Sequence, residues 1–421
     1  MRTIDIAVCG SGIGGLATAL ALQARGHQVT IFEKVDALRP VGSGLMLQPT
    51  GQAALARLGL LDPVLAHGRI VHGIAGTTAT GRRIFDISYA ALGPEIFGIG
   101  VHRGTLFHIL NDERDRRDIP VVTSAGITAT SISANKRIIS DSSGNAVGAF
   151  DLVVDATGLH SPLRNAHAKI SLNRPYAYGA VWGVISEPAD WPHHQSLSQV
   201  YNSASVMIGL LPIGRLPGST QDLAAFFWSL RTADLAAWRA SNFQAWQDRV
   251  SSLWPAAAPF VTQFTTHADL TPAAYSDVWL KTPYAERLAF VGDSARAASP
   301  QLGQGANLAL IDALVLADAL SEFPVVADAM AAYASKRHAH TRFYGLASRW
   351  LTPFFQSDSR SAAALRDLAF SPMARVPYFR REMVRTLAGL KTGLFTHQSP
   401  HELVNARAVE PVAPRPKLHA S

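Results

Sequence analysis

The sequence is poor in cysteine, in charge and in long apolar runs, and each shortage excludes something. Cys9 is the single cysteine of 421 residues. One thiol can neither close a disulfide within the chain nor supply a cysteine-rich metal site. Its place at the end of an apolar segment gives it a packing role. His193 and His194 share a polar loop after Pro192 but lack further ligands at useful spacing, so no metal is expected. No run of 18 apolar residues occurs, and no membrane-spanning helix is expected. Charged residues make up 16%, against about 25% in ordinary soluble domains. Such a chain buries much of itself, or buries a large ligand. The net charge of +7 is spread over 38 lysines and arginines without a long basic block, so nucleic acid is not the expected partner. The stretch IAVCGSGIGGLATALALQA is apolar, but its four glycines and the lone Arg2 before it are unlike an export signal. The expectation is a soluble cytoplasmic protein. At this length, with 48% hydrophobic residues, two lobes are expected.

What is present begins with TIDIAVCGSGIGGLATALALQARGHQVTIFE. Ile4, Ile6 and Val8 mark a buried strand. Gly10, Gly12 and Gly15 follow with G-x-G-x-x-G spacing. A helix starts at Ile13 and runs to Arg25, and Gly26 ends it. Val29–Phe32 is a second strand, closed by Glu33. Gly10 permits a tight turn, Gly12 lets backbone approach a pyrophosphate, and Gly15 lets helix lie close to strand. The helix N-terminus offers unpaired N–H groups to phosphates. Glu33, 18 residues beyond Gly15, stands near the position of a ribose-binding acid. Its charge disfavours a 2′-phosphate there, so FAD or NAD is expected at this site rather than NADP.

A second strand–loop–helix unit lies at RLAFVGDSARAASPQLGQGANLALIDALVLADAL. Asp293 follows the strand directly, Pro300 breaks the chain, and Gly303 and Gly305 precede a helix over about residues 306–320. That helix directs a second N-terminus at something anionic or electron-rich. A third signal is DLVVDATGLHSPLR, residues 151–164, a short strand delivering Asp155-Ala156-Thr157-Gly158 to the surface.

Together these stretches resemble the single-component FAD-dependent aromatic hydroxylases, the flavoprotein monooxygenases that include para-hydroxybenzoate hydroxylase and the ubiquinone-biosynthesis hydroxylases. VGSGLMLQPTG at 41–51 and VHRGTLFHIL at 101–110 resemble two lesser signatures of that family. The resemblance implies that Gly10, Gly12, Ile13, Gly14 and Gly15 line the FAD pyrophosphate and that Glu33 holds the adenosine ribose. It places Arg103 at the phosphate or ribityl region and Asp293 on a ribityl hydroxyl. Gly303, Gly305, Ala306 and Asn307 would set N–H groups at the N1–C2=O side of the flavin. Gly42 and Gly44 would let a loop pass close to the ring, with Pro300 beside its reactive face. It further implies NADH or NADPH as donor, molecular oxygen as co-substrate, and oxygen transfer through a flavin C4a-hydroperoxide to a small aromatic or polycyclic substrate. Two positions depart from the family pattern. Asp155-Ala156-Thr157-Gly158 stands where Gly-Ala-Asp-Gly is usual, which questions direct use of the nicotinamide donor and leaves Asp155, expected among the cofactor-binding residues, to cap the turn. Arg296 stands where histidine is common, and Arg cannot cycle a proton.

The expected fold is α/β: a Rossmann-like FAD-binding domain from residues 1–70, 99–170 and 286–340, and a mostly antiparallel substrate domain from 71–98 and 171–285. A C-terminal helical extension follows over 341–397, then a disordered tail over 398–421. YAYGAVWGVI, SVMIGLLPIG and DLAAFFWSLR read as strands of the substrate domain. Tyr201, Met207, Phe226, Trp228 and Trp182 are candidates for its pocket, with plain core packing the favoured reading for each. No residue stands out as a general base; Tyr201 and His102 are the candidates. A membrane-surface role for the arginine-bearing C-terminal helices is the less favoured reading. A monomer or homodimer is expected. Two other readings stay open: a halogenase-, desaturase- or two-component-type oxidoreductase on the same scaffold, and a non-catalytic FAD- or ligand-binding protein.

Overall fold

The first strand, Asp5–Cys9, is buried from Ile6 onward because it has a parallel neighbour on each side. Strands flanked in this way read as continuous apolar runs rather than alternating ones. In the computed structural model, which describes residues 3–38 and 42–403, this strand is central to a six-stranded sheet. The order is Tyr284–Ala285, Leu288–Phe290, Leu152–Asp155, Asp5–Cys9, Gln28–Phe32 and Val121–Val122. All pairs are parallel except the Tyr284–Phe290 hairpin. Helices Ile13–Gln23 and Gly305–Glu322 pack on each other against this sheet. Both are apolar around most of their circumference, as buried helices are. A three-stranded meander, Ala129–Ser133, Lys136–Ser140 and Ala146–Phe150, packs on the opposite side through Ile139 and Phe150.

The second large sheet has seven strands. Their order is Thr271–Ala273, Tyr178–Ser186, Leu223–Arg231, Val206–Gly214, Ser196–Asn202, Gly73–Thr78 and Arg83–Ser88. Only the Ser196–Asn202 and Gly73–Thr78 pair is parallel. Side chains alternate between its faces. Phe226 and Trp228 point to the face covered by the helix Phe243–Leu253, where both rings meet Trp246. Phe227 points to the other face, against Trp182. A small antiparallel sheet, Gly44–Leu47, Gly98–His102 and Arg69–Val71, lies between the two large ones.

Three long helices follow: Val326–Phe355, Arg360–Arg375 and Pro377–Leu387. Pro353 falls inside the last turn of the first of them. Beyond it, Lys391 bridges His397 and Pro400–Leu403 forms a single helical turn. The rest of the expected tail lies outside the described residues.

Asn307 ties the start of helix Gly305–Glu322 to the loop at residues 46–48 through a single side chain. It is fully buried, its Oδ1 accepts from the Gln48 N–H at 2.8 Å, and its Nδ2 donates to the Met46 carbonyl at 3.0 Å and the Gly303 carbonyl at 2.9 Å. Removing it strands two buried backbone groups at about 1–3 kcal/mol each. Asn307→Ala is therefore expected to lower the melting temperature by several degrees, read by circular dichroism. An unchanged melting temperature would show that the loop holds its place without this clamp.

Candidate active site

One cavity of about 1480 Å³ runs from the glycine-rich loop to the inner face of the seven-stranded sheet. A drug-sized ligand occupies roughly 300–1,000 Å³, so the space exceeds one such molecule. At its first end Gly10 has φ of +102°, and its N–H donates to the Phe32 carbonyl at 2.8 Å. A Cβ on Gly15 would stand 1.9 Å from the Gly10 carbonyl oxygen. Gly15 accordingly sets the loop against the helix and does not itself face the cavity, whereas Gly10, Gly12, Ile13 and Gly14 do. Gly12 is the N-cap of helix Ile13–Gln23 and supplies no side-chain cap, so first-turn N–H groups are left for a ligand.

Glu33 faces the same space. Its Oε2 accepts from the Ser11 N–H at 2.8 Å and the Ser11 hydroxyl at 2.7 Å, and its Oε1 accepts from the Lys34 N–H at 2.8 Å. The carboxylate thus pins the glycine loop, and ribose hydroxyls would share the lone pairs that remain.

The Asp155 turn resolves differently from the expectation of direct cofactor contact. Asp155 is fully buried and does not line the cavity. Its Oδ1 accepts from the Thr157 N–H at 2.9 Å and the Thr157 hydroxyl at 2.6 Å, and its Oδ2 from the Ser161 hydroxyl. Burial raises its pKa against the opposing pull of these donors. Ser161 in turn caps helix Pro162–His167 by accepting from the Arg164 N–H. The Arg164 guanidinium donates to the Leu159 carbonyl and, at 3.3 Å, to that of Asp293. Asp155 therefore builds the turn; Ala156, Thr157 and Gly158 present it to the cavity.

Asp293 and Arg103 are the open groups. Both line the cavity and expose their side chains into it, and neither side chain makes a hydrogen bond among the described residues. Desolvation inside the cavity raises the pKa of Asp293, while Arg103 and Arg164 oppose the rise. Gly42 and Gly44 face the same space, Gly44 packed against Ile213 and Ala225 of the second sheet. Pro300 lines the cavity from a short turn, Pro300–Leu302. That turn is fastened to the long C-terminal helix by Ser299–Thr352 at 2.6 Å and Gln301–Gln356 at 2.9 Å. Gly303 follows in the left-handed region, φ +60°. It turns the chain into helix Gly305–Glu322, whose N-cap Gln304 offers no side-chain cap. Gly303, Gly305 and Ala306 line the cavity; Asn307 does not, being spent on the clamp to residues 46–48.

Neither candidate base fits that role. His102 is not in the cavity wall: its Nδ1 accepts from the Gly104 N–H at 3.1 Å, capping helix Arg103–Arg116, and burial lowers its pKa. Tyr201 does line the cavity, but burial pushes its phenol pKa up, and its hydroxyl donates to Gln199 at 3.0 Å. Met207 and Trp182 also line it, whereas Phe226 and Trp228 belong to the outer core and Phe227 takes their place.

Sequence reasoning missed a buried cluster behind Asp293. Asp312 accepts from the Gly292 N–H at 3.1 Å and from Arg337 at 2.5 Å. Arg337 meets His340 Nδ1 at 3.0 Å, and His340 Nε2 meets the Gly389 carbonyl at 2.7 Å. Arg296 reaches this cluster from the cavity wall with an unpartnered Nε, and burial lowers its pKa to about 10. The Arg337/His340 spacing of three on one helix was the available signal.

The residues fit a dinucleotide with an electron-rich ring system: a glycine cradle, two uncapped helix N-termini, and an unpaired carboxylate and guanidinium in one cavity. Comparison with known proteins agrees. A family described as FAD binding domain matches residues 3–343, and the chain belongs to that family. It is an FAD-dependent monooxygenase of the aromatic hydroxylase type. It is 27% identical over 357 residues to the FAD-dependent urate hydroxylase of Klebsiella oxytoca, covering 81% of this chain and 88% of the relative. It is 26% identical over 395 residues to the aurachin C monooxygenase/isomerase of Stigmatella aurantiaca, covering 89% and 100%. The fold is similar to that of Klebsiella pneumoniae HpxO complexed with FAD and uric acid, with TM-score 0.79 at 19% identity over 93% of this chain and 98% of that one.

Asp293→Ala is expected to weaken FAD binding about 10- to 100-fold, the loss of one hydrogen bond to a charged group. Glu33→Arg is expected to release the glycine loop and weaken it as well. Flavin content after gel filtration, from the 450 nm to 280 nm absorbance ratio, checks both; fully yellow variants would remove these residues from the site. His340 is buried, and burial with the nearby Arg337 and Arg296 lowers its pKa to about 3. The unfolded chain then binds a proton that the folded one refuses, so stability is retained above about pH 6.5 and falls as pH drops toward 3. His340→Gln should flatten that slope in denaturant titrations between pH 7 and 4.5; an equal slope would place the acid sensitivity elsewhere.

Proposed function

We propose that this chain hydroxylates an aromatic or polycyclic small molecule, with NADH or NADPH as electron donor and molecular oxygen as co-substrate. The observation that carries the reading is the continuity of the cavity from the glycine loop at Gly10–Gly14 to the aromatic wall at Trp182, Tyr201 and Phe227. Bound FAD, once reduced by the nicotinamide nucleotide, supplies the chemistry that activates oxygen. The protein's residues do the rest. Gly10, Gly12 and the first turn of helix Ile13–Gln23 bind the pyrophosphate, and Glu33 and Asp293 bind sugar and ribityl hydroxyls. The N-terminus of helix Gly305–Glu322 stabilises negative charge on the ring. The apolar wall orients the substrate and excludes water, without which activated oxygen is lost to side reactions.

Two observations bear on alternatives. The Asp155–Thr157 exchange is satisfied within its own turn, which favours a structural substitution over a lost donor site. The phenol of Tyr275, another group of the aromatic wall, accepts from Trp182 Nε1 at 2.9 Å and is pushed up to about 12 by burial. With Tyr201 likewise raised, neither of these two phenols is a base at neutral pH, which favours a substrate ring that is electron-rich in its own right.

Anaerobic mixing of the FAD-loaded protein with NADH or NADPH tests this. Flavin bleaching is expected, faster with an aromatic ligand present. Bleaching by reduced free flavin alone would replace this reading with a two-component one.

A further inference from the structure

We infer that the substrate is a neutral aromatic ring carrying a long apolar extension, and that the extension lies in a channel walled by the C-terminal helices. The inference rests on the monooxygenase reading above and adds the chemical class of the ligand. Beyond the ring-binding part, the cavity continues between the edge strand Arg83–Ser88 and helices Arg360–Arg375 and Pro377–Leu387. Phe85, Phe355 and Phe370 make a contiguous aromatic wall, with centroid separations of 6.2 Å and 5.7 Å. Leu197, Met383 and Leu387 continue it. Among the described residues the charged side chains lining this part are Glu382 and Lys391; the Lys391 ammonium is spent on Glu382 and on the Leu394 carbonyl, and Glu382 also takes Arg385 at 2.6 Å. A free carboxylate or phosphate on the ligand would find no partner there and would lose its hydration. A saturated chain would lose nothing.

The channel reaches the surface, and its rim has the same chemistry. Met373, Tyr378, Phe379, Leu394 and Phe395 line the cavity and are also exposed, Phe395 by 81%. An exposed apolar patch continuous with a cavity marks a ligand entrance more readily than a solvated surface. Arg375, Arg380 and Arg381, neighbours in sequence, are exposed and take no part in the lining.

The test titrates the FAD-loaded full chain with 4-propylphenol, 4-pentylphenol, 4-heptylphenol and 4-hydroxybenzoate, following the flavin difference spectrum. Each added methylene is expected to lower Kd roughly two- to four-fold, the upper value being ~0.8 kcal/mol per buried CH₂. 4-Hydroxybenzoate should bind more weakly than the shortest alkylphenol. Phe379→Asp, at an exposed rim position that leaves folding intact, should weaken 4-heptylphenol by about ten-fold and 4-propylphenol far less. A Kd independent of chain length, tightest binding by 4-hydroxybenzoate, or no spectral change with any alkylphenol would each overturn the inference. Oxygen uptake and product analysis on the same samples separate the two readings. Graded binding without oxygenated product would sink the monooxygenase reading and keep the ligand class. Product from 4-hydroxybenzoate alone would do the reverse.

Discussion

Buried backbone N–H groups must be paired, and two helices of this protein begin uncapped in the wall of one cavity. Neither Gly12 nor Gln304 supplies a capping side chain. The donors so left open can be satisfied by one ligand that is anionic at one end and electron-rich at the other. Much of the architecture serves to keep those two N-termini in place. Gly15 presses the first helix onto its strand, and Asn307 locks the second to the loop at residues 46–48. Arg164 reaches from the Asp155 turn to the carbonyl of Asp293, so the ends of strands Leu152–Asp155 and Leu288–Phe290 are tied by a side chain as well as by the sheet.

The Asp155 turn shows how a departure from a family pattern can preserve structure. The carboxylate has moved two residues back along the chain, and the threonine at the vacated position donates to it through both N–H and hydroxyl. The turn is closed from within by a buried acid. What the cavity meets is backbone and small side chains at Ala156–Gly158, a surface that a dinucleotide accepts.

The parts of this arrangement written in contiguous residues were readable in advance. Strand, glycine turn, helix and acid follow one another within residues 4–33, and Asp293 and Gly303 stand at fixed offsets from a strand end and a helix start. Side-chain direction was not readable at the same level. Phe226, Phe227 and Trp228 are consecutive and aromatic, and only the register of Leu223–Arg231 against its neighbours decides that Phe227 faces the cavity. His102 looked like a chemical group because histidine usually is one; its cap on Gly104 depends on where the helix begins. The Asp312–Arg337–Arg296–His340 cluster joins residues from a strand and two helices, and beyond the three-residue spacing of Arg337 and His340 nothing local in the sequence announces such a meeting.

The C-terminal helices have a physical reason to exist that precedes any catalytic one. The seven-stranded sheet is covered on its outer face by Trp246, Phe260 and Phe264, which leaves the inner face with Tyr201, Met207 and Phe227 to be shielded. Arg366 anchors that shield. It is fully buried, its guanidinium lies 4.7 Å from the Tyr201 ring, and it donates to the Ser203 carbonyl at 3.1 Å and the Phe354 carbonyl at 3.0 Å. Asp367, at 2.7 Å, balances its charge. A buried cation satisfied in this way holds helix Arg360–Arg375 in one orientation, where apolar contacts alone would allow sliding. The same helix then offers Phe370 and Met373 to the cavity. Fold and the proposed specificity thus share one wall: the residues that keep water from the sheet are those the proposed substrate would fit.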